Sequence, residues 1–285
     1  MYIVINANEI TKSIKGLPPF PDVVGRALKM LDDPHASVPE LVSVVEYDPS
    51  ITANVLKLCN SAYYGLSREV RSLREGIVLL GNAQLKDIIL AGTAVKYLGK
   101  GTKGYDLAKG ELWKHSVATG IFGRIIANHV LEEEQPSVFT ACLLHDIGKV
   151  VLDTFVDEYF NHLMEVIYEE KRSFMEAERA VFGTDHAEVG ARVTRKWEFP
   201  EEIVQAIENH HRPEEASDDD MITPVVYLAN VFTVLAGIGI GRSGLFCRGK
   251  ESVMKRFGLD AKDVQDLLLE FYDEFNKVQD LLGLM

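Results

Sequence analysis

The residues best suited to chemistry in this sequence are histidines and acids in the second half of the chain. His145 and Asp146 are adjacent within an apolar stretch that we predict to be helical, so their side chains project about 100° apart around the helix axis. One imidazole nitrogen and one carboxylate can then reach a single cation, and this donor pair suits Fe, Mn, Zn or Ni. The alternative is an ion-paired dipeptide on the surface.

Further potential ligands strengthen the metal hypothesis. Glu111 and His115 are spaced i, i+4 and so share one helix face. His186 opens a predicted helix, and His210-His211 ends another. Metal centres in helical bundles are built from inward side chains of facing helices, so we predict a centre assembled from these residues. The alternative is that each is an ordinary core or surface side chain.

Helical periodicity runs through almost the whole chain, so we predict an all-α protein. Strand-like alternation of useful length is missing, apart from a short extended start at residues 2–5. Ser37, with Glu40 three residues later, has the layout of a capping box at a helix start. The helices that must position the candidate ligands are predicted at residues 105–130, 136–154, 187–197, 201–209 and 223–236.

A stretch rich in glycine and lysine, residues 99–104, interrupts this pattern and is typical of a loop or linker. We place a domain boundary here. The prediction is an N-terminal helical subdomain at residues 1–100 and a helical bundle with the metal site at residues 101–285. Either part is long enough to bury a core of its own.

The acidic charge of the chain is concentrated near two of the candidate ligands. The formal net charge is −13, and nine acids lie between residues 198 and 220, around His210-His211. A negative surface repels phosphate, which disfavours bulk nucleic-acid binding. The same acids would draw cations towards the site, and a solvated acidic loop is the alternative.

Cysteine usage and hydropathy indicate a cytoplasmic protein. The three cysteines form no CxxC motif, which favours free thiols in a reducing compartment. The N-terminus lacks a basic, apolar signal sequence. Residues 221–240 are uncharged and long enough to span a bilayer, but Pro224, Asn230 and three preceding acids favour a buried helix of a soluble bundle. We therefore expect no membrane segment.

An apolar stripe near the C-terminus allows two interpretations. Leu267, Leu268, Phe271, Tyr272 and Phe275 recur at helical spacing. Packing within the chain is one interpretation, and a surface for a homodimer or another partner is the other.

Several short motifs resemble a known family. The order His115, then His145-Asp146, then a later acidic position resembles the HD superfamily of metal-dependent phosphohydrolases. The resemblance to its HDOD branch covers about residues 10–240 and implies an HD-like multi-helix bundle with an N-terminal helical subdomain. HDOD domains are output or signalling modules of bacterial regulatory proteins. The matching motifs are Leu17-Pro18-Pro19-Phe20-Pro21, residues 48–53, 58–64 and 77–81, and His210-His211-Arg212-Pro213.

The ligand pattern is also similar to the HD-GYP branch, which hydrolyses cyclic di-GMP at a site of two or three metals. This resemblance implies that Asp146 acts in catalysis and that Lys149 helps to hold a substrate phosphate. Two departures oppose activity. The late aspartate is Asn230 here, which keeps a carbonyl oxygen but loses the charge, and no Gly-Tyr-Pro motif follows. The implied metal ligands are Glu111, His115, His145, Asp146, His186, His210, His211 and Asn230. We expect that one ion can bind His115, His145, Asp146 and Asn230 and that a second can bind His186, His210 and His211, with Asp146 as the bridge.

We therefore expect a bacterial signal-transduction protein of HDOD type that binds a signalling protein partner or a nucleotide-like small molecule. It would retain a His/Asp site for one or two divalent transition-metal ions, Fe or Mn foremost, with Zn or Ni as alternatives. The second hypothesis is an active metal-dependent phosphohydrolase or cyclic-dinucleotide phosphodiesterase. Asn230 and the missing motif favour the first hypothesis, whereas the matching ligand positions favour the second.

Overall fold

The predicted all-α class is confirmed by a computed structural model that describes residues 7–31, 33, 35, 37–45, 49–60, 69–131, 137–244 and 251–282. No strand occurs within these ranges. The predicted extended start at residues 2–5, motif residues 48 and 61–64, and Cys247 lie outside the described residues. The helices are α1 (Ala7–Gly16), α2 (Asp22–Leu31), α3 (Val38–Val45), α4 (Pro49–Cys59), α5 (Leu73–Leu98), α6 (Glu111–Val130), α7 (Ser137–Leu144), α8 (Ile147–Glu158), α9 (Phe160–Glu170), α10 (Phe174–Phe182), α11 (His186–Lys196), α12 (Glu201–Asn209), α13 (Ile222–Leu235), α14 (Gly241–Gly244), α15 (Glu251–Arg256) and α16 (Ala261–Leu282).

The chain divides into two compact units, each discontinuous in sequence. One comprises residues 19–96 and 272–285, and the other comprises residues 1–18 and 97–271. The domain ranges 1–100 and 101–285 stay a prediction. In this division residues 272–285 group with residues 19–96, and α1 groups with the helices that follow residue 97. Lys196 explains this grouping, since its ammonium donates to backbone carbonyls at the end of α1, including that of Ile14 at 3.0 Å.

The first unit contains α2 to α5 and the C-terminal part of α16, and α2, α3 and α4 are short helices of 8 to 11 residues. The predicted capping box at α3 is confirmed: the Ser37 backbone N–H donates to Glu40 (3.1 Å), and the Glu40 backbone N–H donates to the Ser37 hydroxyl (3.4 Å). Helix α5 is kinked at Gly81, where φ is 80°. Glycine tolerates this left-handed conformation without strain, so the two arms of α5 can change direction there.

Asn60 holds the end of α4 to a later part of the same unit. Its side-chain amide donates to the carbonyl of Val70 (2.8 Å), and its carbonyl oxygen accepts from the Val70 backbone N–H (2.6 Å). The two bonds mimic a pair of backbone hydrogen bonds, which gives this position in the Leu58–Tyr64 motif a structural role.

The second unit has α6 at its centre. Helix α6 packs against α7 and α13, α11 packs against α8 and α12, and α12 also contacts α7 and α13. Phe122 of α6 stacks on Phe271 of α16 with ring centroids 3.8 Å apart. Leu267, Phe271 and Phe275 are buried, so packing within the chain explains these three residues of the C-terminal stripe. Leu268 is half-buried and Tyr272 is exposed, and the homodimer stays a prediction.

Most of the uncharged stretch at residues 221–240 forms a buried core helix, α13, as expected. Helix α13 has 14 residues, too few to cross a bilayer, and its side chains from Ile222 to Thr233 are buried. Among the described residues, one segment, Arg74–Leu98, is long and apolar enough to span a membrane, and half of its most apolar window is buried. Core helices of soluble proteins pass the same test.

Candidate metal centre

His145 and Asp146 lie at a break between two helices, which corrects the predicted continuous helix at residues 136–154. Helix α7 ends at Leu144, and α8 begins at Ile147. The His145 Nδ1 atom donates to the carbonyl of Cys142 (2.6 Å) near the end of α7, where carbonyls lack helical partners. The end of α7 therefore orients the imidazole, and Asp146 is the N-cap residue of α8.

The other candidate ligands come from the termini and interiors of four further helices. His115 lies in the second turn of α6, and His186 is the first residue of α11. His210-His211 directly follows α12, and Asn230 lies within α13. Segments far apart in sequence therefore deliver their side chains to one place.

The Asp146 carboxylate lies between two sets of imidazoles. Its Oδ2 atom is 3.3 Å from His145 Nε2 and 3.7 Å from His115 Nε2. Its Oδ1 atom is 3.5 Å from His186 Nε2 and 3.9 Å from His210 Nε2. One carboxylate therefore presents a separate oxygen to each set, which is the geometry of a bridging ligand.

The donors fall into two groups, each with its ligand atoms within 4.8 Å of one another. The Asp146 group comprises His115, His145 and Asp146, and the histidine group comprises His186, His210 and His211. Within the histidine group, the Nε2 atoms of His186 and His211 are 2.9 Å apart. Neither group contains a thiolate, so the donor set suits Fe, Mn, Zn or Ni better than a soft metal.

Backbone carbonyls orient three of these imidazoles. Because a carbonyl only accepts hydrogen bonds, each contacting Nδ1 atom carries a proton, and in the neutral ring the Nε2 lone pair is free to bind a cation. Such contacts are the usual supports of metal-binding histidines. The pairs are His115 with Ile238 (2.9 Å), His145 with Cys142 (2.6 Å) and His210 with Ile207 (2.7 Å).

Buried atoms without hydrogen bonds show that these residues fit a metal. His145 Nε2, His210 Nε2 and Asp146 Oδ1 are buried and have no hydrogen-bond partner. Unpaired buried acceptors are costly. A divalent cation in the Asp146 group would satisfy His145 Nε2, and one in the histidine group would satisfy His210 Nε2 and Asp146 Oδ1. Asn230 Oδ1 also lies 3.2 Å from His115 Nε2, so its carbonyl is within reach of the cation in the Asp146 group.

Two other predicted residues take different places. Glu111 is half-buried in the first turn of α6 and belongs to neither group, so the structure does not bring it to the predicted cation sites. Lys149 is buried, and its ammonium donates to Asp146 Oδ2 at 2.6 Å. Burial opposes the charge on Asp146, but the interactions with His145 and Lys149 outweigh it and hold the Asp146 pKa well below 3.8. The role of Lys149 in holding phosphate stays a prediction.

Sequence reasoning missed two residues that support His186. Glu178 is fully buried, and its Oε2 atom accepts from His186 Nδ1 (2.6 Å) and from the His186 backbone N–H (3.0 Å). The Tyr105 hydroxyl donates to Glu178 Oε1 (2.5 Å). One signal was present in the sequence: Glu178 lies on the apolar face of α10, between Ala177 and Val181, where an acid must find a partner.

The glycine- and lysine-rich stretch is more than a linker. The helix predicted from residue 105 begins at Glu111, and the preceding segment folds back through an isolated bridge between Thr102 and Leu107. Tyr105 is completely buried in this turn. Gly104 makes the turn possible, because a Cβ there would lie 2.3 Å from the Asp153 carbonyl oxygen of α8.

Burial sets the charge of the imidazoles before any cation binds. It lowers the pKa of His115 to about 4. Burial and the neighbouring imidazoles also hold the pKa values of His210 and His211 well below 6.5. His186 is the exception, because the Glu178 carboxylate outweighs burial and raises its pKa.

We expect the metal-free protein to lose stability as the pH falls below about 6.5, the ordinary histidine pKa. The lowered pKa values of His115, His210 and His211 mean that the unfolded chain binds more protons between pH 6.5 and about 4, which favours unfolding by a few kcal/mol. His186 acts in the opposite sense, because its raised pKa stabilises the folded protein. This stabilisation is complete below pH 6.5 and is lost as the pH rises through the raised pKa. Thermal denaturation with chelator from pH 4.5 to 8 measures the balance, and a flat profile would contradict this prediction.

Comparison with known proteins agrees with this architecture. A structure of an HDOD domain protein of unknown function from Geobacter sulfurreducens is 27% identical, with a TM-score of 0.75 over 96% of each chain. A candidate phosphohydrolase from Shewanella amazonensis shares the fold at 20% identity, with a TM-score of 0.74 over 96% of this chain and 98% of that one.

A sequence relative and a family match complete the comparison. An uncharacterized Treponema pallidum protein is 23% identical over 214 residues, which are 75% of this chain. The chain spans only 41% of the length of that relative. The HDOD domain family matches residues 17–213, more than half of the sequence. The chain therefore belongs to the HDOD domain family.

Proposed function

We propose that this protein is a cytoplasmic bacterial signal-transduction protein of HDOD type that carries a divalent metal centre and acts by binding a signalling partner or a nucleotide-like small molecule. The observation that carries the proposal is the position of Asp146, with one carboxylate oxygen facing each group of imidazoles. Four ring nitrogens lie within 3.9 Å of this one buried carboxylate, and bound divalent cations would satisfy the nitrogens and the carboxylate together.

The donor chemistry supports one cation in each group, and we propose Fe or Mn as the first candidates. The Asp146 group offers two imidazoles and a carboxylate, with the Asn230 carbonyl nearby. The histidine group offers three imidazoles and the second oxygen of Asp146. Imidazole and carboxylate ligands also suit Zn or Ni, so the donor set alone does not choose among these metals.

The charge and burial of the centre favour binding over turnover. Asn230 supplies a neutral oxygen where an aspartate would add a negative charge, which weakens both cation binding and proton removal at that position. Lys149, the cation expected to meet a substrate phosphate, is already paired with Asp146 and is 7% exposed. His211, half-buried, is the most open ligand of the histidine group.

The second candidate function is a metal-dependent phosphohydrolase, and the paired cation groups favour it. Bound metal ions would polarise a phosphoryl oxygen and acidify a bound water. Within this chain, Lys149 would neutralise the negative charge that gathers at Asp146, and the Nδ1 contacts of the histidines would hold the ligands rigid. Asp157 is exposed and outside the centre, so Asp157→Asn is a suitable control variant.

Metal analysis and two assays test the proposal. Protein purified without chelator should contain one or two equivalents of a divalent metal, and chelation should lower the melting temperature. The protein should not hydrolyse cyclic di-GMP or a simple phosphomonoester, whether or not it binds them. No metal, together with no thermal shift on adding Fe²⁺ or Mn²⁺, would refute the metal centre. Metal-dependent turnover that Asp157→Asn retains and Asp146→Asn loses would favour the hydrolase.

A further inference from the structure

The support of His186 differs from that of the other oriented ligands. His115, His145 and His210 each donate from Nδ1 to a neutral backbone carbonyl. His186 donates from Nδ1 to the carboxylate of Glu178 at 2.6 Å. A charged acceptor binds this proton more strongly and makes the opposite nitrogen a better electron donor to a metal.

Glu178 is itself held in place from both sides. Its side chain is completely buried in α10. Its Oε2 atom accepts two hydrogen bonds from His186, and its Oε1 atom accepts one from the Tyr105 hydroxyl. A buried carboxylate with three donors is rigid, so it fixes both the tautomer and the ring orientation of His186.

Tyr105 packs against the centre with its ring as well as its hydroxyl. The ring meets the His186 ring edge-on, with centroids 6.4 Å apart. The ammonium of Lys149 lies 5.6 Å from the same ring centroid. The folded turn before α6 therefore closes one side of the histidine group.

The charges of the two groups explain why this support matters. The Asp146 group contains its own carboxylate, whereas the histidine group has neutral imidazoles and only shares the second oxygen of Asp146. The ammonium of Lys149 also offsets part of the negative charge of Asp146. A divalent cation in the histidine group thus depends on a nearby negative charge from elsewhere, and Glu178 is a buried carboxylate in contact with one of its ligands.

Building on the metal centre proposed above, we infer that Glu178, held by Tyr105, is a positioning residue that sets the cation affinity of the histidine group and leaves the Asp146 group unaffected. Glu178 acts through His186 and does not itself bind the cation. Loss of such a support typically weakens metal binding 10- to 100-fold. At a given metal concentration, a variant of Glu178 would therefore have a lower cation occupancy in the histidine group than in the Asp146 group.

The test is a titration of the metal-free protein with Co²⁺ alone, in which binding is measured by calorimetry and by visible absorption. Glu178→Gln keeps the size of the side chain and an oxygen for His186 but removes the charge. Tyr105→Phe removes only the hydroxyl and provides a second variant if the first does not fold. Glu169→Gln, on the exposed side of α9, is the matched control. His211→Ala identifies which binding event belongs to the histidine group.

We expect two Co²⁺ binding events in the wild type and in Glu169→Gln. The binding event that disappears in His211→Ala belongs to the histidine group. Glu178→Gln should lower the Co²⁺ affinity of this event by 10- to 100-fold. It should change the visible absorption of the Co²⁺ ion in the histidine group and leave that of the other ion unchanged. Tyr105→Phe should act in the same direction with a smaller effect. Equal weakening of both events, or none, in variants that keep the wild-type circular dichroism would overturn the inference. A wild type that binds no Co²⁺ would refute the metal centre itself and the inference with it.

Discussion

Replacing Asp146 by asparagine is expected to abolish binding at both cation groups, with a loss of affinity of at least about 100-fold for each ion. The reason is that each oxygen of Asp146 faces a different group, so one substitution removes the negative charge from both. Inductively coupled plasma analysis of the purified variant and a Co²⁺ titration measure the effect. Retention of two tightly bound ions would contradict the bridging role.

A stability control separates metal loss from misfolding. Asp146→Asn leaves the buried ammonium of Lys149 without its charged partner, and breaking a buried pair costs about 3–5 kcal/mol. The double variant Asp146→Asn/Lys149→Met removes both charges and should recover much of the metal-free stability without recovering metal. The exposed Asp157→Asn variant should match the wild type in metal content and in melting temperature.

Replacing Gly148 by alanine is expected to have the largest effect on folding. A Cβ at this position would lie 1.9 Å from the His186 carbonyl oxygen and 2.7 Å from the Gly190 nitrogen, both of which are backbone atoms of α11. No rotamer change relieves such a contact, so α8 and α11 must separate, at a cost of about 3 kcal/mol or more. A domain of this size should then melt about 6–12 °C lower.

The same substitution should also weaken metal binding, since it displaces the backbone that carries His186. Gly25→Ala is the matched control, because Gly25 lies inside α2 with no atom within 4 Å of an added Cβ. That control should be neutral or stabilising by about 0.5–1 kcal/mol, as expected for alanine in a helix. Equal melting temperatures for Gly148→Ala and the wild type would show that α8 and α11 are not in close backbone contact.

Local patterns were sufficient to predict the helical class and many of the helix limits. Helix α12 begins at Glu201 and ends at Asn209, as predicted, because an apolar stripe follows Pro200 and the pattern stops before His210. Capping residues also act over a few positions, so the Ser37–Glu40 capping box could be predicted without knowledge of the fold. The order and types of the candidate metal ligands are likewise properties of the sequence.

Other features of the centre could not be predicted because they depend on contacts between distant segments. Tyr105 and Glu178 are 73 residues apart, and only the packing of the turn before α6 against α10 joins them. The break at His145-Asp146 resembles a continuous apolar helix in the sequence, since local periodicity does not record where a neighbouring helix must pass. Glu111 shares a helix face with His115 yet belongs to neither group.

The sequence by itself determined which atoms are available to bind a metal: five imidazoles, the carboxylates of Asp146 and Glu111 and the Asn230 carbonyl. The family resemblance already implied two ions with Asp146 between them, and only the tertiary structure decided that Glu111 lies outside both groups and that Glu178 supports one of them. The physical reason is that donor type is a property of a single residue, whereas the orientation of a ring nitrogen depends on the partner that its other nitrogen meets. Those partners come from helices that are close only after the chain has folded.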